Sequence, residues 1–348
     1  MQITIHDVAR AAGVSITTVS RALNGTGRIS RITRNRVLHF AQDLGYQPNE
    51  LARSLVAKST QTIAVIVPDI TNPFFPELIK GIETVASARG HLVLLCDSAD
   101  DPMKAWADLA ALRRKQVDGV ILTGVRLDGD RLAAVTAGWP VVTVDREVQL
   151  PSASVVQSDH RTGAVMATQH LLDRGHRRIA HLAGTPGLMV TEARRSGYVE
   201  ALAHAGIDLD DSLVVPSGFL EKDGYEAANE LIGRAVDFTA VFAANDLSAI
   251  GALAALEEQG LRVPSEVSVV GFDDIRLSSY IRPRLTTVRQ DIFQLGARAA
   301  EILIDQFTSD TAVGVLQEIM PVDLVVREST APPRLVSTRL RRGTSSHA

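Results

Sequence analysis

One cysteine, Cys96, stands among 348 residues, so an internal disulfide is excluded and the chain fits a reducing compartment. No run of eighteen apolar residues occurs, which excludes a membrane-spanning helix. The opening residues carry no apolar stretch ahead of a small-residue cleavage site, and the polar IHDVAR follows almost at once; a cytoplasmic protein is expected. Nine histidines are present without HExxH or Cys/His ligand spacing, so neither a metal nor a cofactor is expected. GxSxG and the phosphate-cradling GxxxxGKS/T are missing too, which leaves an enzyme without a nucleophile set. His176 and His181 flank an expected strand start and read as structural. Cys96 ends an apolar strand and reads as a small buried hydrophobe.

What is present is an ordinary balance for a folded chain, 45% apolar and 22% charged, long enough for two or three domains. The net charge of −4 hides an asymmetry. Residues 1–60 hold eight basic side chains against Asp7, Asp43 and Glu50, a net of +5, which leaves −9 for the remainder. A basic head on an acidic body is the footprint of a polyanion-binding module, although charge alone also fits a merely solvated surface.

The order of parts in the head decides between them. Thr4 and Asp7 form a capping-box-like start for a helix over about 5–12, with Val8, Ala9 and Ala12 on one face. Gly13 supplies the left-handed turn, and Ser15 caps a second helix from Ile16 to about Asn24 that turns Val19, Ala22 and Leu23 inward. Ser30 caps a third helix, in which Val37, Phe40, Ala41 and Leu44 recur at helical spacing until Gly45 and Pro48 stop it. Helix, glycine turn, helix is the arrangement that lays a second helix in the DNA major groove. The exposed residues there are Ile16, Thr17 and Arg21. Arg21 can fork onto guanine, while Ile16 and the Thr17 methyl suit thymine methyls. Ser15, Ser20, Asn24 and Ser30 are short polar groups suited to phosphate oxygens. Periodicity by itself also allows a small structural three-helix bundle.

The segments DVARAAGVS, TTVSRALNG, TRNRVL, LGYQPN and LARSL, continuous from Thr4 to Leu55, resemble the DNA-binding head of the lac repressor/gal repressor family. The resemblance implies that Ile16, Thr17 and Arg21 read bases and that Arg28 lies near the groove or backbone. It implies a hinge helix over 49–57 that forms only when two subunits sit on an operator. Leu55, in Ala52-Arg53-Ser54-Leu55, then wedges into a central base step, unstacking it at roughly a few kcal/mol. Thr4, Ala52 and Arg53 complete the implied DNA-facing set. Read without the family, Leu55 is an ordinary apolar linker residue.

From Gln61 the pattern changes. Short β-branched bursts TIAVIV (62–67), HLVLLC (91–96), DGVILT (118–123) and PVVTVD (140–145) alternate with helical spacing at 75–89, 102–115 and 129–137. A second series follows: RIAHLAG (178–184), about 213–216, FTAVFA (238–243) and VSVVGF (267–272), with helices near 191–205, 222–234 and 246–259. Two open parallel sheets covered by helices are predicted, with a ligand cleft at their carboxyl edges. VPDITNPFF (67–75), GHRRIAHLAG (175–184), FAANDLSAIGAL (242–253), VPSEVSVVGFDDI (263–275) and LTTVRQD (285–291) resemble the core of the same family, which shares the periplasmic sugar-binding protein fold.

The expected fold is therefore an all-α helix-turn-helix head plus an α/β periplasmic-binding-protein-like core of two open parallel-sheet subdomains. The expected division is a head over 1–47, a hinge over 48–60 and a core over 61–330, with crossovers near 160, 290 and 321. One subdomain takes about 61–160 plus 291–320, the other about 161–290 plus 321–330. Residues 331–348 read as a flexible basic tail. The family's tetramerising heptad tail is not visible, so a homodimer is expected.

Carried over by position, the resemblance gives Phe74, Phe75, Asp145, Arg194, Phe219, Asn245 and Asp273 as the effector pocket. Carboxylates, an amide and a guanidinium suit vicinal hydroxyls, and aromatic faces cover a sugar ring. The duller alternatives are that Phe74 and Phe75 pack a helix start and that Asp273 caps a turn. Leu188, Met189 and Val190 depart from the polar residues often found there. The expectation is a DNA-binding regulator, a repressor in most of the family, controlled by a sugar or sugar derivative. A nucleoside- or purine-responsive regulator comes second, and a sugar-binding protein without regulatory role third. The implied partners are a pseudo-palindromic double-stranded operator, the effector and a second copy of the chain. No membrane is involved, and the protein is expected in the cytoplasm, on the nucleoid when DNA-bound.

Overall fold

The computed structural model describes residues 3–46, 59–125, 127–145, 150, 152–308 and 314–333. They divide into two units, one up to Thr60 and one from Gln61. In the first, α1 (Ile5–Ala12), α2 (Ile16–Leu23) and α3 (Arg31–Asp43) pack around Val8, Ala9, Ala12, Val19, Ala22, Val37 and Ala41. These side chains are small, which lets three short helices approach closely with little apolar surface to share. Local bonds define the helix starts. The Thr4 hydroxyl and N–H both donate to Asp7 Oδ2, at 2.7 and 3.0 Å. Ser15 Oγ accepts from the Thr18 N–H at 3.2 Å and Ser30 Oγ from the Thr33 N–H at 3.1 Å. Gly13 ends α1 at φ +64°, the left-handed conformation that costs glycine nothing.

The second unit runs β1 (Thr62–Val67), α4 (Phe74–Ala88), β2 (Leu92–Asp97), α5 (Pro102–Arg114), β3 (Gly119–Thr123), α6 (Gly129–Val135), β4 (Val141–Val144) and β5 (Ser154–Ser158). It continues with α7 (His160–Asp173), β6 (Ile179–Leu182), α8 (Met189–His204), β7 (Val214–Val215), α9 (Glu221–Gly233), β8 (Ala240–Ala243), α10 (Asp246–Glu258) and β9 (Ser268–Asp273). Then come β10 (Thr286–Arg289), α11 (Ile292–Thr308), β11 (Gln317–Met320) and β12 (Asp323–Val325). Two six-stranded sheets result, ordered β11-β5-β4-β3-β1-β2 and β12-β10-β9-β8-β6-β7. The chain passes between them after β5, after β10 and after β11.

Strands β3, β4, β6 and β8 are buried along their whole length, as helices on both faces of a parallel sheet require. The helices cross at glycine. A Cβ on Gly81 of α4 would lie 2.0 Å from the Phe293 carbonyl oxygen of α11, and one on Gly251 of α10 would lie 1.8 Å from that of Glu221 in α9. These crossings are backbone against backbone, so the helices have no slack.

Four features differ from the sequence expectation. Strands β5 and β10 and helix α7 were not anticipated: SVVQS and TTVR have polar ends, and the buried face of α7 carries the small Gly163, Ala164, Ala167 and Thr168, with large apolar residues only at its end, Leu171 and Leu172. The second sheet is not wholly parallel, because β12 returns from the third crossover and adds antiparallel to β10. Residues 331–333, expected to open a flexible tail, begin tied to the core. The Ala331 N–H donates to Ser268 Oγ at 3.0 Å, and its carbonyl faces His176 Nε2 at 2.9 Å. Cys96 is only half buried, because β2 is an edge strand. Residues 334–348 lie outside the described residues.

Candidate effector cleft and DNA-reading surface

In the core, each lobe turns the carboxyl ends of its strands toward one cavity of about 220 Å³. All seven residues anticipated for the pocket line it: Phe74, Phe75 and Asp145 from the first lobe, Arg194, Phe219, Asn245 and Asp273 from the second. Each position follows from local structure. Phe74 and Phe75 open α4, edge to face at 5.2 Å, and Phe74 also packs in the lobe's apolar core. The duller reading of Phe74 is thus true alongside the lining one. Asp145 and Asp273 sit at strand ends with φ of +49° and +116°, conformations that non-glycine residues avoid unless the surroundings impose them. Asn245 caps α10: its side-chain oxygen accepts from the Ser248 N–H at 2.9 Å and its amide donates to the Phe219 carbonyl at 3.0 Å.

Arg194 organises the polar floor. It is 4% exposed, and its guanidinium lies 3.8 Å over the Phe272 ring. Nη1 donates to the Ala244 carbonyl, while Nη2 faces Asp273 Oδ1 at 3.4 Å and His160 Nδ1 at 3.3 Å. His160 in turn meets Asp145 Oδ1 at 3.0 Å through Nε2. A buried chain Asp145–His160–Arg194–Asp273 therefore crosses from one lobe to the other. Gln290 closes its far end, donating to Asp273 Oδ1 at 2.6 Å.

The electrostatics follow from this chain. Burial opposes the charge on Asp145, but His160, the Ser158 N–H and Arg194 outweigh it and hold the carboxyl below its ordinary range. Burial pushes Asp273 up to about 6 against the pull of Arg194 and Gln290. Burial also pulls Arg194 below its ordinary value while Asp273, Asp145 and Asp246 favour its charge. Thr123 Oγ1 and Arg194 Nε are buried and have no hydrogen-bond partner in the protein, a cost that a polar ligand would remove.

Sequence reasoning missed several lining residues. Asp69, Asn72, Asp100 and Asp223 add polar groups, and Leu220 an apolar one. Asn72 lies in the quoted segment VPDITNPFF, so its position was legible; Asp223 looks in sequence like an ordinary first-turn acid. Of the departing trio, Leu188 and Val190 line the cleft. Met189 is not among the lining residues. Asp246, fully buried beside this floor, also went unnoticed. It accepts from the Ile275 N–H at 2.9 Å and Ser278 Oγ at 2.6 Å, and burial plus Asp273 raise its pKa to about 8. The two singled-out histidines serve packing: His181 stacks on Phe242 at 4.8 Å and Tyr198 at 4.9 Å, and burial lowers its pKa to about 4. His176 clasps Thr239 and Ser268.

In the first unit, Ile16, Thr17 and Arg21 are exposed on α2, Ile16 at 42%. The Arg21 side chain passes beside the turn after its helix: a Cβ on Gly27 would lie 3.0 Å from Arg21 Cδ. Thr4, Asn24 and Arg28 are exposed, and Ser20 is half-buried, 3.4 Å from the Asn24 amide. Ser15 and Ser30 are exposed as well, although their hydroxyls already serve as caps. Ile32, 81% exposed, is an apolar surface residue off the helical stripe that the sequence did not flag. Ala52, Arg53 and Leu55 lie outside the described residues.

Residues 4–49 match the family described as bacterial regulatory proteins, lacI family, and residues 60–326 match periplasmic binding proteins and sugar binding domain of LacI family. The regulator DegA of Bacillus subtilis (strain 168) is 37% identical, the alignment covering 95% of this chain and 99% of that protein. Among solved structures, a lac repressor dimer bound to operator and the anti-inducer ONPF is similar at a TM-score of 0.85 with 29% identity, covering 95% of this chain and 100% of that one. A complex of the transcriptional regulator CelR with cellobiose is similar at a TM-score of 0.73 with 34% identity, covering 94% and 100%. The protein thus belongs to the lacI family of bacterial transcriptional regulators, which bind DNA and are not enzymes.

Proposed function

We propose that the protein is a cytoplasmic homodimeric repressor, on the nucleoid when DNA-bound, whose hold on a pseudo-palindromic operator is set by a sugar or sugar derivative in the core cleft. The observation that carries this reading is the convergence of seven anticipated residues on one cavity floored by the Asp145–His160–Arg194–Asp273 chain. Carboxylate, amide and guanidinium there match vicinal hydroxyls, and three phenylalanines offer ring faces. The similar structure holding cellobiose supports a carbohydrate. The similar dimer on operator supports two copies, and so does apolar surface on this core: Leu92, Leu94 and Leu95 on edge strand β2, with Leu277 and Tyr280, are exposed.

The mechanism is a population shift. Head (1–47), hinge (48–60) and core (61–330) divide the work. A ligand touching both lobes favours one lobe spacing, and that spacing governs whether two hinges pair and seat Leu55 in bent DNA. Ile16, Thr17, Arg21 and Arg28 read or approach the groove, Ser15, Ser20, Asn24 and Ser30 suit phosphate oxygens, and Thr4, Ala52 and Arg53 complete the DNA-binding set. A nucleoside is the second reading, favoured by the apolar wall of Leu188 and Val190, which suits a base better than a hydroxyl. Calorimetric titration of a sugar and nucleoside panel separates them: binding of sugars supports the first reading, and binding of purines or nucleosides alone overturns it.

A further inference from the structure

We infer that the cleft selects a ring without an anionic substituent, a neutral or amine-bearing polyol, and rejects the phosphorylated form of the same compound. The inference rests on the effector reading above and concerns its charge. Among the described residues, five carboxylates line the cavity, those of Asp69, Asp145, Asp223 and Asp273 and that of Asp100, which has a partner of its own, against one cationic side chain, Arg194. Arg194 is largely committed already, its two terminal nitrogens facing the Ala244 carbonyl, His160 and Asp273. A phosphate adds close to two further negative charges and asks for several N–H donors.

Helix N-termini are the usual alternative source of such donors, and at three of those at this cleft a side-chain oxygen already stands. At α4, Asn72 Oδ1 accepts the Phe74 N–H at 3.0 Å. At α9, Asp223 accepts the Leu220 N–H at 3.0 Å and sets a carboxylate where an anion would dock. At α10, Asn245 accepts the Ser248 N–H. The start of α8 has no side-chain cap, but Leu188 and Val190 wall it and Glu192 occupies its first turn. What remains for a ligand is Thr123 Oγ1, 1% exposed and without a partner, a single unpartnered N–H at Arg194 Nε, and the carboxylates as acceptors of hydroxyl or ammonium protons. At about 220 Å³ the cavity is below the ~300–1,000 Å³ of drug-sized pockets, which leaves room for one ring and a small substituent.

The test uses the full-length protein and matched pairs: ribose with ribose 5-phosphate, glucose with glucose 6-phosphate, and adenosine with adenosine 5′-monophosphate. For any pair that binds in calorimetry, the unphosphorylated member should bind about a hundredfold tighter. The Asp69→Asn/Asp223→Asn double variant keeps both side-chain acceptors and should narrow that gap about tenfold. Equal or tighter binding of a phosphorylated member overturns the inference. So does protection from thermal unfolding by millimolar inorganic phosphate beyond a chloride control of equal ionic strength, an arm that decides even if no pair binds. Failure of every pair, with operator still bound, counts against the effector reading itself and leaves charge selection to the phosphate arm.

Discussion

The head and the cleft use similar residue types in opposite ways. In the head, Ile16, Thr17 and Arg21, the proposed reading residues, are exposed and the helices rest on a core of alanine and valine, so these three contribute little to the fold. In the cleft, Arg194, Asp273 and His160 are buried, and each is a partner of another. Removing one leaves a buried charge or dipole without its counterpart. The contrast separates two kinds of specificity. In the proposed reading, recognition of DNA is laid on top of a small scaffold, whereas recognition of the ligand shares its side chains with the packing between lobes.

The sharpest attempt to break this contrast is Arg194→Ala. It strands Asp273 and should destabilise the core by about 3–5 kcal/mol, with loss of ligand response, measured by denaturant unfolding and calorimetry. Gly251→Val comes next. A side chain there meets the Glu221 carbonyl, and forcing α9 and α10 apart should cost about 3 kcal/mol in the same unfolding assay. Arg21→Ala should do the reverse of Arg194→Ala. Base preference at one half-site position falls by about 1–3 kcal/mol in titrations of operator variants, with the unfolding transition unchanged. Ser15→Ala, which removes the cap of α2, should destabilise the head by about 1 kcal/mol, read as earlier loss of its helical signal on heating.

The smallest change at neutral pH is expected from Asp246→Asn. Burial raises the Asp246 pKa from 3.8 to about 8, so the folded protein favours the neutral acid. The stabilising contribution is complete below the unfolded pKa near 4 and is lost as pH rises through about 8. The parent core should therefore lose melting temperature up to about pH 8 more steeply than the variant does. Parallel curves would mean that Asp246 is ionised throughout.

The two regions also differed in legibility. Head helices could be placed from Thr4, Gly13, Ser15 and Ser30, because caps and left-handed glycines are local signals. The strongest core strands were visible as apolar bursts. Strand β10 was not, because Thr286 and Thr287 are buried through hydroxyl bonds, Thr287 to Asp246 and Thr286 to the Arg327 N–H, and polar letters hide a buried strand. Helix α7 was hidden by its small residues. Within the cleft, positions shared with the family pattern could be carried over. The His160 bridge and the buried Asp246 could not, since their roles depend on partners more than ten residues away.

The most direct measurement is operator affinity of the full-length protein, by fluorescence anisotropy on a palindromic duplex, with the cleft empty and with it saturated by the sugar that calorimetry identifies. Occupancy should change that affinity by roughly 5–150-fold, and saturating operator should change sugar affinity by the same factor. Unchanged operator affinity with the cleft demonstrably filled would contradict the coupling.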